Sequence, residues 1–303
     1  MAVLVVGASG FIGTIVSQRL SKRGIESIGY DLIQTDSGDQ KTCVRGDVLD
    51  MQSIERVFLD YSIDATVHLV GLPAIAQCQK DPQLSFLLNV MSVQNTVEAM
   101  RKADIPRIIF ASSATVYGDH DDQAKKETDA PQPTTVYGWH KLAAEKVIQS
   151  YSEAYGIKSV ILRLFNVYGG DPKRGKEVVS IFINRGLKHE PFIVKGPGKF
   201  RDFVHIEDVA DSFVVSLGSN HSDSLTINIG TGTQTTLKQL ALMVGHFFPR
   251  SKVLTESTQD DGTGLWGNVH LAGETIGFSP RQPGVGIPDH VKKYAEQTVP
   301  EGG

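Results

Sequence analysis

The pattern of hydrophobic and polar positions changes near residue 165. Before that point, short runs rich in β-branched residues alternate with longer segments whose apolar side chains recur at helical spacing. The short runs predict strands over residues 2–6, 25–30, 42–46, 65–70, 107–112 and 158–164. The longer segments predict helices over residues 11–22, 51–60, 83–102 and 137–155. Strands that alternate with helices favour successive βα units, so we expect an α/β fold built on a doubly wound parallel sheet.

After Asn166, glycines and prolines break the chain into short pieces, which predicts a second, smaller lobe. We expect one domain over residues 1–165 and a lobe over 166–303, with some segments of the lobe returning to the first domain. The acidic segment 119–134 predicts a solvated loop. The predicted helix 83–102 is apolar nearly all round, so one face can cover the sheet while another meets a second subunit, as in a homodimer.

Composition narrows the classes of partner. The chain has 303 residues, of which 40% are hydrophobic, and a formal charge of -4 from 30 basic and 34 acidic side chains. The charges are interspersed, so we expect no nucleic-acid partner. The apolar start is too short for a secretion signal and no run approaches a membrane span of about 20 residues. Cys43 and Cys78 offer neither a disulfide framework nor a four-ligand zinc pattern, so we expect no metal and a reducing cytoplasm.

A glycine-rich turn follows the first predicted strand. Gly7, Gly10 and Gly13 lie between that strand and a predicted helix, where backbone N–H groups and the helix dipole can hold a pyrophosphate. Asp31 ends the next strand, close to the offset expected of a carboxylate that binds ribose. The alternative is a turn without a ligand. A carboxylate there would repel a 2'-phosphate, so the pattern favours NAD over NADP in a Rossmann-type first domain.

A second group of residues indicates proton-transfer chemistry. Tyr137 and Lys141 are four residues apart, so they project from one face of the predicted helix. A phenol with an ordinary pKa of about 10 is a poor base, but an adjacent ammonium favours its ionised form. Ser113 follows the fifth predicted strand, where its hydroxyl can reach the same substrate oxygen. The alternative for a pair with this spacing is a chance arrangement on a helix surface.

Together these segments resemble the extended short-chain dehydrogenase/reductase family, in its group of NAD-dependent nucleotide-sugar epimerases and dehydratases. The resemblance rests on residues 7–13, on Asp47 with Val48, on residues 68–71, on residues 112–118 and on the Tyr137–Lys141 pair. It implies a catalytic triad of Ser113, Tyr137 and Lys141. It also implies that NAD contacts Gly7, Gly10, Phe11, Ile12, Gly13, Asp31, Asp47, Val48, Leu69, Val70, Tyr137 and Lys141.

The resemblance continues into the smaller lobe through residues 163–169 and 201–210. It implies that Asn166 and Arg201 bind the diphosphate of a nucleotide-sugar, and that Ser113 also contacts the substrate. A guanidinium suits phosphate because it carries a permanent charge and a fork of donors. We expect structural roles for His68, Arg163 and His205.

Two departures from the family pattern bear on the reaction. Ala114 and Thr115 stand where the family's dehydratases carry an Asp and a Glu, so water elimination is disfavoured. Residues 259–264 lack the second diphosphate-binding arginine that family members commonly have, and Arg281 is a candidate replacement.

The sequence therefore predicts NAD-dependent epimerisation of a nucleotide-sugar, a UDP-hexose, at carbon 4 through a 4-keto intermediate. Two alternatives remain open: a dehydrogenase of a nucleotide-sugar or small alcohol that releases its ketone, and a dinucleotide-binding sensor without turnover.

Overall fold

The computed structural model describes residues 1–33, 42–118, 123–173, 175–218 and 224–296. Residues 119–122 of the predicted loop lie outside this part of the chain. The strands are β1 Ala2–Val6, β2 Glu26–Asp31, β3 Thr42–Arg45, β4 Ala65–His68, β5 Arg107–Ser113, β6 Lys158–Leu164, β7 Asn166–Tyr168, β8 Phe192–Lys195, β9 Phe200–Arg201, β10 Phe203–His205, β11 Leu225–Ile229, β12 Thr235–Thr236, β13 Val253–Glu256 and β14 Gly264–Leu265. The helices are α1 Phe11–Lys22, α2 Met51–Asp60, α3 Ile75–Lys80, α4 Pro82–Phe86, α5 Ser92–Lys102, α6 Val136–Tyr155, α7 Val178–Leu187, α8 Ile206–Gly218, α9 Leu237–Gly245, α10 His270–Ile276 and α11 Pro283–Ala295.

A parallel sheet organises the larger part of the described chain. Its seven strands run in the order β3-β2-β1-β4-β5-β6-β11. The strand order reverses between β1 and β4, and ligands of doubly wound sheets bind in the crevice at such a switch point, outside the carboxyl ends of the strands. The predicted fold class is confirmed.

Both faces of the sheet are buried, because alternate side chains of a strand point to opposite sides. In β1, Leu4 and Val6 join one apolar cluster and Val3 and Val5 join another. The first cluster is completed by helices α2, α5 and α6, and the second by α1 and α8. This double covering explains why the strands read as nearly continuous apolar runs.

A third apolar cluster lies in the C-terminal part of the chain. It joins Tyr168 and Phe203 to side chains from α7, α9 and α11. The chain between β6 and β11 contributes to this cluster and then re-enters the large sheet, where Leu225–Ile229 pairs with Val160–Leu164. The division at residue 165 remains a prediction.

The segment predicted as one helix over 83–102 consists of α4, a π-helical turn over Leu87–Met91, and α5. Asp81 starts it by accepting the Leu84 N–H at 2.9 Å, with Pro82 as the first helical residue. In the π-helical turn, the buried Asn89 side chain accepts the Leu72 N–H at 3.0 Å. A polar side chain inside an apolar helix thus bonds the loop that follows β4, and π-helical turns often occur at functional sites.

The described part of the acidic loop is tied to the fold more closely than a solvated loop would be. The Lys125 N–H donates to the Trp266 carbonyl at 3.0 Å, and the Asn228 N–H donates to the Glu127 carboxylate at 2.8 Å. These bonds attach the loop to β11 and to the segment that follows β14. Among the described residues, none of the helices combines the length and apolarity required to span a membrane.

Candidate active site

The glycine turn between β1 and α1 has no room for side chains. Gly7 has a φ of +90°, and a Cβ atom there would lie 2.9 Å from the Val70 nitrogen. A Cβ on Gly13 would lie 2.1 Å from the Gly7 carbonyl oxygen. Helix α1 begins after Gly10 with no side-chain cap, so its first N–H groups are left for another acceptor. This arrangement fits a pyrophosphate.

Asp31 lies at the carboxyl end of β2, next to this turn. One carboxylate oxygen accepts the Ser9 N–H at 2.9 Å and the other accepts the Ile33 N–H at 3.2 Å. These bonds orient the carboxylate, and each oxygen keeps a lone pair for a further donor. The geometry suits a carboxylate that accepts hydrogen bonds from a ribose diol.

The other predicted cofactor residues surround the same edge of the sheet. Asp47 accepts the Leu49 N–H at 2.9 Å, and Val48 is buried with its carbonyl held by Asn95 at 3.0 Å. Leu69 continues β4 through a bond from its N–H to the Val6 carbonyl at 2.8 Å, which brings Val70 against Gly7.

Phe11 and Ile12 open α1. The exposed Phe11 ring lies against Gly170, so close that a Cβ on Gly170 would be 2.2 Å from the ring. Ile12 packs against the apolar cluster on one face of the sheet. Phe11 thus connects the glycine turn with the start of the C-terminal lobe.

Ser113, Tyr137 and Lys141 meet at the carboxyl end of β5. All three are buried, and Tyr137 is hydrogen-bonded to Ser113. The Lys141 Nζ donates to the Ala111 carbonyl at 2.8 Å and lies 5.9 Å from the centre of the Tyr137 ring. The cap of α6 makes this possible, because Thr135 accepts the Gly138 N–H at 3.1 Å and starts the helix one residue before Tyr137. The structure brings together the three residues predicted to form the triad.

Burial shifts the pKa of both members of the pair. It raises the pKa of Tyr137 to about 12, against the opposing effect of the hydrogen bond with Ser113. It lowers the pKa of Lys141 to about 8, against the opposing effect of the Glu145 carboxylate. The sequence suggested only that Lys141 would favour the phenolate. The structure adds desolvation, which disfavours the charged form of either group.

The residues after Ser113 form a short 3₁₀ helix, Ala114–Tyr117. The Thr115 hydroxyl donates to the Ser113 oxygen at 3.0 Å, and Ala114 is buried. Thr115 therefore orients Ser113. The two positions offer a hydroxyl and a methyl group, neither of which is a carboxylic acid.

Sequence reasoning missed two polar groups beside the pair. Cys78 is buried on α3, its thiol donates to the Leu72 carbonyl at 3.1 Å, and its charge would raise the pKa of both Tyr137 and Lys141. Asn89 binds Leu72 from the other side. The sequence signal for Asn89 is its place within the otherwise apolar run Leu87–Met91.

On the substrate side, Asn166 begins β7 and Arg201 ends β9, which belong to different small sheets. Asn166 is exposed on β7, and its N–H donates to the Asp202 carbonyl at 2.9 Å, which places it beside Arg201. The Arg201 guanidinium donates to the Phe200 carbonyl at 2.8 Å. Arg281 does not fit the role of a replacement arginine, because its guanidinium is bound to Asp208 at 2.9 Å and to Glu207 at 3.2 Å.

The residues expected to be structural are enclosed. His68 is fully buried with its ring nitrogens 3.2 Å from the Ser92 and Thr96 hydroxyls. Arg163 is buried in an ion pair with Glu145. His205 is buried and accepts the Glu207 N–H at 3.2 Å.

Comparison with known proteins places this geometry in a family. The family model described as the NAD dependent epimerase/dehydratase family matches residues 3–230. The chain belongs to this family. The family's cofactor agrees with the NAD predicted from the glycine turn and Asp31.

Individual relatives cover most of the chain. A putative UDP-glucose 4-epimerase of Methanocaldococcus jannaschii is 33% identical over 80% of this chain and 81% of its own length. The Thermus thermophilus UDP-glucose 4-epimerase in complex with NAD is 28% identical, with a TM-score of 0.87, and the match covers 97% of this chain and 99% of that one. The Thermotoga maritima UDP-glucose 4-epimerase with UDP-glucose is 25% identical, with a TM-score of 0.89, over 98% and 99% of the two chains.

Proposed function

We propose that this protein is an NAD-dependent nucleotide-sugar 4-epimerase that acts on a UDP-hexose. The observation that carries the proposal is the buried Ser113–Tyr137–Lys141 cluster at the carboxyl end of β5, on the same edge of the sheet as a glycine turn that fits a pyrophosphate. The family supports NAD as the cofactor, and the relatives named UDP-glucose 4-epimerase support the reaction.

The residues present fit NAD. The uncapped start of α1 would hold the pyrophosphate, Asp31 the ribose, and Asp47 with Val48 the adenine. When bound, NAD would supply the hydride acceptor and donor for carbon 4 of the sugar, and a positive charge that would oppose the effect of burial on the pKa of Tyr137. Lys141 would position the Tyr137 phenol relative to the bound cofactor.

Tyr137 would accept the proton of the sugar 4-hydroxyl and later return it, because its buried phenol is hydrogen-bonded to Ser113 and lies beside the Lys141 ammonium. The Ser113 hydroxyl, oriented by Thr115, would donate to the same sugar oxygen while the sugar is a 4-ketone. Once the ketone has turned over in the pocket, the same two groups serve the opposite face. The proton and the hydride both return to the sugar, so the net reaction consumes no cofactor.

Asn166 and Arg201 would hold the diphosphate, which leaves the sugar free to turn. Asn166 follows the carboxyl end of β6 closely, and its N–H donates to the carbonyl of Asp202, the residue after Arg201. With Arg281 committed to Asp208 and Glu207, Arg201 bears more of the diphosphate charge.

The same proposal includes a homodimer in the cytoplasm. Phe86 on α4 and Trp139 on α6 are large apolar side chains that are 43% and 55% exposed on helices that pack together. Within the described part of the chain, Cys43 and Cys78 form no disulfide, which suits a reducing compartment. Light scattering at several concentrations measures the mass, and a dimer that Phe86→Asp dissociates would support this surface as the contact.

The function is tested by incubating the purified protein with UDP-glucose and separating UDP-galactose by chromatography, with and without added NAD. We expect conversion in both directions without a steady need for NAD. Tyr137→Phe should lower turnover at least ~100-fold while NAD still binds, because general base catalysis typically contributes 10²- to 10⁴-fold. Tyr155→Phe is the matched control, because Tyr155 is 57% exposed at the far end of the same helix. NADH that accumulates with a released ketone would instead identify a dehydrogenase, and NAD binding without any conversion a sensor.

A further inference from the structure

A series of buried hydrogen bonds runs from helix α6 to β11 at the edge of the large sheet. Glu145 is fully buried on α6, one helical turn after Lys141. Its two carboxylate oxygens accept the Arg163 guanidinium at 3.0 and 2.8 Å, in a fork-to-fork pair. Ser112 donates to the same carboxylate.

The series of hydrogen bonds continues beyond Arg163. The guanidinium donates to the Tyr117 hydroxyl at 2.9 Å, and Tyr117 donates to the Asn228 side chain at 2.8 Å. Asn228 in turn donates to the Lys125 carbonyl at 2.8 Å and accepts nothing from solvent, since it is fully buried. These bonds join α6, β6, the 3₁₀ helix after Ser113 and β11.

A buried ion pair is costly to keep, because both charges lose hydration. Two well-packed apolar residues would often be as stable there. Glu145 also lies on the same helix as the buried Lys141, one helical turn further along. This placement calls for a role that apolar residues could not fill.

We propose that Glu145 is a positioning residue for the reaction: its carboxylate, held by Arg163 and Ser112, keeps Lys141 in the ammonium form beside Tyr137. The proposal rests on the proposed function only for the role of Tyr137 as the base. Glu145 touches neither substrate nor cofactor in this account and acts through Lys141.

The direction of the expected change in the Lys141 pKa follows from the groups around Lys141. The titratable groups around Lys141 come from three elements: His68 from β4, Cys78 from α3, and Tyr137 and Glu145 from α6. Arg163 from β6 is paired with Glu145. His68 has its pKa lowered by burial to about 3, so it is neutral near neutral pH. Burial alone disfavours the ammonium and Glu145 opposes this effect, so Glu145→Gln should make Lys141 lose its proton at a lower pH.

Nuclear magnetic resonance of isotope-labelled lysine Cε measures the Lys141 titration directly in the NAD-bound protein, with Lys141→Met to assign the signal. An opposite charge nearby typically shifts a pKa by about 1 to 3 units, and Arg163 shares this one. We therefore expect Glu145→Gln to lower the Lys141 pKa by about one unit. The alkaline limb of the epimerisation profile should move by the same amount in the same direction.

Two further variants separate charge from packing. Glu145→Gln leaves the buried Arg163 guanidinium without an opposite charge, so the protein is also made with Glu145→Gln and Arg163→Met together, which removes both charges. This double variant should also lower the Lys141 pKa. Ser112→Ala removes a hydrogen bond to Glu145 but no charge, so it should leave the Lys141 pKa in place even if turnover falls.

A folded double variant with a wild-type Lys141 titration would overturn the proposal and leave Glu145 as a packing residue. A change in the Lys141 pKa without any movement of the alkaline limb of the epimerisation pH profile would overturn the link from Lys141 to Tyr137. If the wild-type protein epimerises nothing, the proposed function fails, while the resonance titration still decides whether Glu145 governs Lys141.

Discussion

Replacing Gly13 by Ala should weaken NAD binding out of proportion to its effect on stability. Gly13 is the third residue of α1, and the added Cβ would lie 2.1 Å from the Gly7 carbonyl oxygen and 2.9 Å from backbone atoms of Ala8. Real Cβ atoms essentially never approach within 3.0 Å, so the turn would have to withdraw by about 0.9 Å. All the obstructing atoms belong to backbone, and no flexible side chain can move aside.

The size of the effect follows from what the turn is expected to hold. A hydrogen bond to a charged group contributes about 1.5 to 3 kcal/mol, and about 1.4 kcal/mol corresponds to a tenfold change in affinity. Displacing one N–H from the pyrophosphate should thus weaken NAD by about ten- to a hundredfold. Overpacking typically costs about 1 to 3 kcal/mol of stability, against which alanine recovers up to about 1 kcal/mol of helix propensity.

Calorimetric titration with NAD and denaturant unfolding of the NAD-free protein measure the two effects separately. Gly284→Ala is the control, because Gly284 lies in the first turn of α11 and a Cβ there meets nothing within 4 Å. The control should keep wild-type affinity and lose no stability. Wild-type NAD affinity in Gly13→Ala would refute the assignment of this turn to the pyrophosphate.

Three other changes test separate parts of the molecule. Asp31→Ala should weaken NAD and narrow its advantage over NADP in binding titrations, and an unchanged preference would exclude Asp31 from the ribose. Arg201→Ala should raise the Michaelis constant for UDP-glucose by about ten- to a hundredfold with little change in NAD affinity. Arg201→Lys should recover part of the loss. Equal substrate binding by the wild type and both variants would contradict the assignment of Arg201 to the diphosphate. Burial lowers the pKa of both His205 and His290 to about 4, so the unfolded chain takes up protons first and stability should fall as pH drops from about 6.5 towards 4. Denaturant unfolding across this range should show a shallower loss for His290→Phe, and identical slopes would contradict the effect.

The sheet and its flanking helices could be predicted because their signal is local. The bounds of α1, α2 and β6 agree with the predictions at both ends, since each has a period that no tertiary contact overrides. The π-helical turn at Leu87–Met91 could not be predicted in this way. It depends on the bond between Asn89 and Leu72, which lie on different elements.

At the site, too, the features that depend on local sequence could be predicted and those that depend on tertiary packing could not. The structure assembles Ser113, Tyr137 and Lys141 as expected, because parallel strands bring their carboxyl ends to one edge and α6 starts there. Their pKa values could not be read from spacing, since desolvation depends on everything packed around them. The failure of Arg281 as a second phosphate ligand is of the same kind, because its partners Asp208 and Glu207 are distant in sequence.

The interpretation of Glu145 needs both its spacing in the sequence and its burial in the structure. Tyr137, Lys141 and Glu145 follow one another at intervals of four, so the sequence alone places them on one face of a helix. A glutamate after a lysine at this interval usually makes a weak surface contact, and that pattern predicts no more. What gives it another meaning is the burial of Glu145 and the fork from Arg163, which arrives from the neighbouring strand. A carboxylate held by Arg163 and Ser112 in this way keeps its position relative to the Lys141 ammonium, whereas a solvated carboxylate could move away from it.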